Sequence, residues 1–138
     1  MPAKDLFHDA VRHALEKEGW VITHDPLHLR IQSLDFYIDL GAERLIAAER
    51  AGEKIAVEVK SFLGASAISE FYKALGQFIP YRAALAEKDP ERVLFLAVPA
   101  DTYSTFFEQR FIQTIIEREC VRLLVYDEKR EVIKVWIP

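Results

Sequence analysis

The sequence contains almost no cysteine and no long apolar run. Cys120 is the single cysteine among 138 residues, so an intrachain disulfide is excluded, as is usual in a reducing compartment. No apolar run approaches the roughly 20 residues that a membrane-spanning helix needs. The opening residues, MPAKDLFHD, also lack the apolar segment of a secretory signal. We therefore expect a cytoplasmic protein that does not enter a membrane.

Basic residues are in short supply as well. The chain has 18 lysines and arginines against 22 acids, a formal net charge of −4. Non-specific DNA affinity comes mainly from basic side chains that neutralise phosphates, so we expect weak autonomous DNA binding. The sequence also has no Gly-X-Ser-X-Gly, no phosphate-binding glycine loop and no Cys/His zinc pattern. The sequence therefore carries no recognisable nucleophile, nucleotide-binding or zinc motif.

The length fits one domain, residues 1–138, with a core of its own. Apolar periodicity and turn residues predict alternating helices and strands. We place helices at 4–18, 66–87 and 101–118, and strands at 20–24, 36–40, 44–49, 55–61, 92–98, 122–126 and 131–136. Residues 27–33 are ambiguous and are taken as loop, and Pro80 predicts either a kink or two helices. The expected class is α/β, with a mixed central sheet flanked by helices.

The segment 55–62, IAVEVKSF, has the composition of a buried strand and yet carries an acid and a base. Side chains alternate along a strand, so Glu58 and Lys60 share one face with Ala56. Burying an isolated charge costs several kcal/mol, so this pair indicates a functional purpose. Upstream, the apolar segment 36–40 carries a second acid, Asp39.

Two acids and a lysine on neighbouring strands predict a Mg²⁺ (or Mn²⁺) site for cutting phosphodiesters. Asp39, Glu58 and the backbone carbonyl of Val59 would supply hard oxygen ligands. Lys60 would orient the attacking hydroxide and stabilise charge on the phosphate. The alternative is a solvated strand face or a surface ion pair, the commoner meaning of an acid-X-Lys triplet. Asp35 is a rival ligand, although its position favours a strand-entry residue.

The helices add two weaker signals. Gln77 and Tyr81 lie one turn apart on one helix face, with Lys73 on the same face as Gln77, and all three are candidate DNA contacts. The alternative is a polar helix edge with Tyr81 partly buried. His8, in the first helix, is a tentative additional metal ligand, although a lone helical histidine more often serves packing or lies at the surface.

These motifs resemble the PD-(D/E)XK nuclease superfamily, and the Gln-X-X-X-Tyr pair is similar to that of its RecB-like members. Several stretches further resemble the cyanobacterial XisH family over essentially the whole chain: residues 1–9, 23–27, 36–43, 55–64 and 136–138. In one departure from the superfamily pattern, Ile38 stands where a proline usually precedes the first acid.

The resemblance implies a restriction-endonuclease-like fold with Asp39 and Glu58 as metal ligands and Lys60 as the catalytic lysine. His8 would match the acid or histidine that related nucleases carry on their first helix. XisH proteins are known as controlling factors for excision of the fdxN element during heterocyst differentiation. The implied partners are therefore DNA, a small XisI-like factor and a site-specific recombinase. The oligomeric state stays open, a homo-oligomer included.

Three hypotheses follow for the function. The first is an excision factor that is also a metal-dependent deoxyribonuclease. The second is a catalytically silent module that reuses the nuclease fold to regulate a recombinase through protein partners, which the small size and acidic net charge favour. In the third, the acids and lysine form only an internal ion pair.

Overall fold

The computed structural model describes residues 3–31, 34–36 and 45–138, and side chains from residue 6 onward in these ranges except at 34–36. Asp39, Asp35 and most of the predicted strand 36–40 lie outside the residues whose side chains are described. The helices and strands are α1 (Ala3–Lys17), β1 (Val21–His24), β2 (Leu29–Ile31), β3 (Leu34–Phe36), β4 (Leu45–Arg50), β5 (Glu53–Val59), α2 (Ala67–Lys88), β6 (Arg92–Pro99), α3 (Ala100–Thr102), α4 (Arg110–Arg118), β7 (Leu123–Asp127) and β8 (Val132–Ile137).

Six of the described strands form one mixed sheet in the order β1-β4-β5-β6-β7-β8, while β2 and β3 pair separately. The central pairs β5–β6 and β6–β7 are parallel, and the other pairs are antiparallel. Helices supply the crossovers between the parallel strands, as the connection of parallel neighbours requires. The predicted α/β class with a mixed central sheet is confirmed at this level.

The strand alternation predicted for β5 is confirmed. Ile55, Val57 and Val59 pack on one side of the sheet, in a core cluster with Val11 and Leu15 of α1. Ala56 packs on the other side, in a cluster with Phe71 and Phe78 of α2 and with residues of α4. Glu58 and Lys60 therefore face α2 rather than α1.

The boundaries of α2 follow from its sequence. Ser66 caps its first turn, with the hydroxyl oxygen accepting from the backbone N–H of Ser69 at 3.3 Å. The helix then runs without interruption through Pro80. Of the two alternatives predicted for Pro80, two helices are therefore wrong, because the buried face of Phe71, Phe78 and Tyr81 is continuous on both sides of the proline, while a kink stays a prediction.

Two further predictions need correction. Residues 29–31, taken as loop, form β2, because they pair with β3. The helix predicted at 101–118 is divided: a π-helical turn (Tyr103–Phe107) follows α3, and Gln109 is extended before α4 begins. The division buries the consecutive Phe106 and Phe107 together, whereas Phe111 is 68% exposed.

Candidate functional site

The predicted acid and lysine lie at the carboxyl end of β5, deep in the protein. Glu58 is 0% exposed and Lys60 is 6% exposed. The Lys60 Nζ lies 3.6 Å from Glu58 Oε2, at ion-pair distance. The alternative of a solvated strand face is therefore wrong, because both charges are inside the protein.

The site draws its third side chain from α2. Lys60 Nζ donates a short hydrogen bond to Gln77 Oε1. Gln77 is only partly buried, so it lies between Lys60 and the surface. The structure thus joins the strand motif to the glutamine of the helix motif, and the glutamine holds the lysine head group in a fixed position.

The predicted backbone ligand lies on the same strand. Lys60 N–H donates to the carbonyl of Ala97 on β6 at 3.1 Å, so the peptide groups of Lys60 face β6. Peptide groups alternate in direction along a strand, and those of Val59 therefore face the β4 side. The Val59 carbonyl, predicted as a ligand, therefore points towards β4. The described part of β4 begins at Leu45, which pairs with Glu58.

The other predicted DNA contacts on α2 differ in exposure. Tyr81 is 4% exposed and belongs to the core cluster between α2 and the sheet. A DNA strand would therefore reach little of its side chain, and its evident role is packing. Lys73, one turn before Gln77, is exposed and available to a phosphate. Its role as a DNA contact stays a prediction.

The structure places His8 in a different cluster. Its ring Nε2 lies 2.8 Å from Asp25 Oδ2, and Arg12 Nη1 donates to the same oxygen at 2.7 Å. Helix α1 covers the face of the sheet opposite to Glu58. His8 and Glu58 are therefore not brought together by the described contacts, and a metal-binding role for His8 stays a prediction.

Sequence reasoning missed Asp25, whose side chain is only 8% exposed. Burial would raise the pKa of this carboxyl, but hydrogen bonds and electrostatic attraction from His8 and Arg12 outweigh burial and hold the pKa below the usual value of 3.8. The helical spacing of His8 and Arg12 was the available signal, because it places two donors on one face of α1.

The donor set for a metal is incomplete within the described residues, which contain no group of three His, Cys, Asp or Glu side chains able to hold an ion. Glu58 and the Val59 carbonyl are the described oxygens of the predicted set. Asp39, the predicted second carboxylate, lies outside the described residues.

The fold and site together define an α/β domain with a buried acid and lysine at the end of a central strand. A family model described as XisH protein matches residues 1–134, and the chain belongs to the XisH family. No helix in the described part of the chain has the length and apolar character to cross a membrane.

Two solved structures are similar to this chain over nearly its whole length. An XisH family protein from Nostoc punctiforme PCC 73102 is 55% identical, with a TM-score of 0.90, covering 97% of this chain and 100% of its own. A fdxN element excision controlling factor protein from Anabaena variabilis is 54% identical, with a TM-score of 0.90, covering 97% and 99%. A search of curated protein sequences finds no match.

Proposed function

We propose that this protein controls the excision of a DNA element and that it is a metal-dependent deoxyribonuclease of the PD-(D/E)XK superfamily. The excision role is supported by the Anabaena variabilis relative, whose described function is fdxN element excision control. The nuclease role is supported by one observation above all: Glu58 and Lys60 are almost completely buried side by side.

That burial is expensive if it serves stability alone. Each ion loses several kcal/mol of hydration, and a well-packed apolar pair of the same volume is often as stable or more stable. The neighbouring residues of β5 on the other face, Val57 and Val59, show that the fold accommodates apolar side chains at this depth. A charged pair at this position is therefore better explained by chemistry than by packing.

The described oxygens suit Mg²⁺ or Mn²⁺. Such ions are commonly held by one or two carboxylates while they retain several waters, so Glu58, the Val59 carbonyl and Asp39 would be a sufficient set. When bound, the metal would polarise the scissile phosphate and lower the pKa of a water.

Lys60 would be the catalytic lysine. Its ammonium group, held by Gln77 and adjacent to Glu58, would orient the attacking hydroxide and stabilise the negative charge that develops on the phosphate. Gln77 would restrict the rotamers of Lys60, and in this role it positions the lysine rather than contacting DNA.

Cleavage assays with Mg²⁺ and with Mn²⁺ test the nuclease. The substrates are duplex, nicked, branched and single-stranded DNA, and the variants are Asp39→Ala, Glu58→Gln and Lys60→Met. Each variant should lower the cleavage rate by ~100-fold or more. Glu87→Gln, at an exposed position of α2, is the matched control and should cleave normally. Failure of the wild-type protein to cut any of these substrates, with its partners present, would refute the nuclease.

The net charge of −4 favours a second candidate, a silent module that regulates a recombinase through an XisI-like factor. An excision assay in cells separates the two. A silent module should support normal excision with Glu58→Gln, whereas a nuclease should not. Co-purification with the XisI-like factor and the recombinase, compared between wild type and Glu58→Gln, shows whether the partner surface is intact in the variant.

A further inference from the structure

A concave region lies at the opposite end of β5 from Glu58. A cavity of about 610 Å³ opens over the beginnings of β5 and β6. Its wall contains the aromatic rings of Trp20, Phe95 and Trp136, which belong to the core cluster on the α1 side. The cavity is therefore separate from the candidate site in both position and face.

The aromatic wall is preorganised. The Trp136 ring packs edge-on against Phe95, with centroids 5.0 Å apart, and lies 5.9 Å from Trp20. The Arg50 guanidinium covers Trp20 at 4.5 Å from the ring centroid and donates to the Glu18 carbonyl at 2.8 Å. The Trp136 indole donates to the Glu18 carboxylate at 3.0 Å. These contacts fix the rings. Trp20 and Phe95 are buried, at 5% and 8% exposed, so the partly exposed Trp136 is the ring that a ligand would meet, held in place by the other two.

A smaller cavity of about 190 Å³ adjoins the first and shares Val93 and Arg122 with it. Arg82, Arg92 and Arg122 line this smaller cavity, and no acid is among its described lining residues. Arg82 is held by the carbonyls of Glu119 and Cys120, at 2.5 and 3.2 Å.

The charge of Arg92 is balanced by two carboxylates, because Arg92 donates to Asp89 at 3.0 Å and lies 3.5 Å from Glu49. Arg122 differs. Its partly exposed guanidinium has no hydrogen-bond or ion-pair partner among the residues that the structure describes. An unpaired arginine at the junction of the two cavities is available to an anion.

We propose that these adjoining cavities bind one nucleotide unit, with the base in the aromatic cavity and the phosphate at Arg122. Aromatic walls bind nucleobases by stacking, without the need for sequence-specific hydrogen bonds. Arginine matches the phosphate group in geometry and charge. The larger cavity falls in the range of about 300–1,000 Å³ that small-molecule sites occupy. Glu53 and Glu91 also line it, but both are exposed, and Arg50 lies 4.0 Å from Glu53.

This binding site is independent of the proposed nuclease. Strands rise about 3.3 Å per residue, so the backbone at Lys54, which lines the large cavity, is ~20 Å from that at Lys60. The nucleotide unit is either a free mononucleotide or one residue of a single DNA strand, and the two sources share the same recognition chemistry.

Intrinsic fluorescence tests the proposal directly, because the chain has two tryptophans and both line the large cavity. The full chain is titrated with dAMP, deoxyadenosine, deoxyribose 5-phosphate and a 5′-phosphorylated oligo(dA). We expect saturable quenching by dAMP, with deoxyadenosine and deoxyribose 5-phosphate at least ~10-fold weaker. Tighter binding of oligo(dA) than of dAMP would identify a DNA strand as the source, and equal or weaker binding would identify the free nucleotide.

Arg122→Ala should weaken dAMP binding by ~10-fold or more, and Arg122→Lys should restore part of the affinity. Arg110→Ala, at an exposed arginine outside both cavities, is the matched control and should bind normally. The Arg122 variants should melt like the wild type, because the Arg122 side chain has no hydrogen-bond or ion-pair partner in the described part of the chain. Glu58→Gln should also bind dAMP normally, whatever its effect on DNA cleavage. Absence of saturable quenching in the wild type, equal binding of deoxyribose 5-phosphate and dAMP, or unchanged affinity in Arg122→Ala would overturn the proposal.

Discussion

The Tyr126 hydroxyl donates a hydrogen bond of 2.8 Å to the backbone carbonyl of Lys60. In a continuing parallel ladder, that carbonyl would accept from the backbone N–H of residue 99, because Lys60 N–H donates to Ala97. Residue 99 is a proline and has no N–H. Tyr126, the ladder partner of Pro99 on β7, supplies the missing donor from its side chain. The backbone of the candidate catalytic lysine is therefore held by a buried tyrosine on the opposite face of the sheet from α2.

Tyr126→Phe should destabilise the protein by about 1–3 kcal/mol, because the variant leaves the buried Lys60 carbonyl without this donor. Urea unfolding measures the change. Tyr72→Phe is the matched control, since Tyr72 is 59% exposed, and it should unfold like the wild type. Equal unfolding midpoints for Tyr126→Phe and the wild type would show that this hydrogen bond does not contribute to stability.

Lys60→Met should destabilise the protein by about 3–5 kcal/mol, because it leaves the Glu58 carboxylate buried without its ion-pair partner. In the double variant Glu58→Leu/Lys60→Met no charge of the pair remains, and much of the lost stability should return. Urea unfolding of the wild type, both single variants and the double variant forms a double-mutant cycle. Additive effects in that cycle would contradict a direct interaction between the two side chains.

Asp25 should make the stability depend on pH in the acid range. Its pKa is lower in the folded protein than the usual 3.8, so the unfolded chain binds a proton more readily. The resulting stabilisation is fully present above pH 3.8 and is lost as the pH falls through the lower, folded-state pKa.

Asp25→Asn should therefore be less stable than the wild type at neutral pH, and the difference should shrink below pH 3.8. Unfolding curves measured across the acid range give this difference directly. Asp101→Asn, at an exposed acid, is the control and should follow the wild type at every pH. A difference between Asp25→Asn and the wild type that stays constant with pH would exclude this origin of the stability.

The strand periodicity was sufficient to predict that Glu58 and Lys60 share a face with Ala56, because alternation is a local property of the backbone. The cap at Ser66 and the turn before β5 are local features in the same sense. The Asp25 cluster could not be predicted in this way, since it depends on where the turn after β1 contacts α1 in three dimensions. The aromatic cavity likewise joins Trp20 with Trp136 from distant parts of the chain.

Local patterns also failed where neighbouring residues competed for the core. The apolar spacing of residues 106–116 indicates one continuous helix, but Phe106 and Phe107 are adjacent and both are buried. A regular helix turns consecutive side chains about 100° apart, and the π-helical turn before Gln109 changes that angle. Tertiary packing thus determined the backbone conformation of this segment, and Phe111 lies at the surface.

Two glycines with open surroundings should respond oppositely to the same substitution. A Cβ added at either Gly76 or Gly52 would meet no atom within 4 Å. Steric clashes therefore do not contribute to the change in stability at either position. Gly76 lies inside α2, where alanine is the better helix former, and Gly76→Ala should stabilise the protein by about 0.5–1 kcal/mol. Gly52 has a φ of +83° in the turn between β4 and β5, and Gly52→Ala should destabilise by about 1–2 kcal/mol. Chemical unfolding of both variants measures the two values, and a change of the same sign at both positions would contradict a backbone origin.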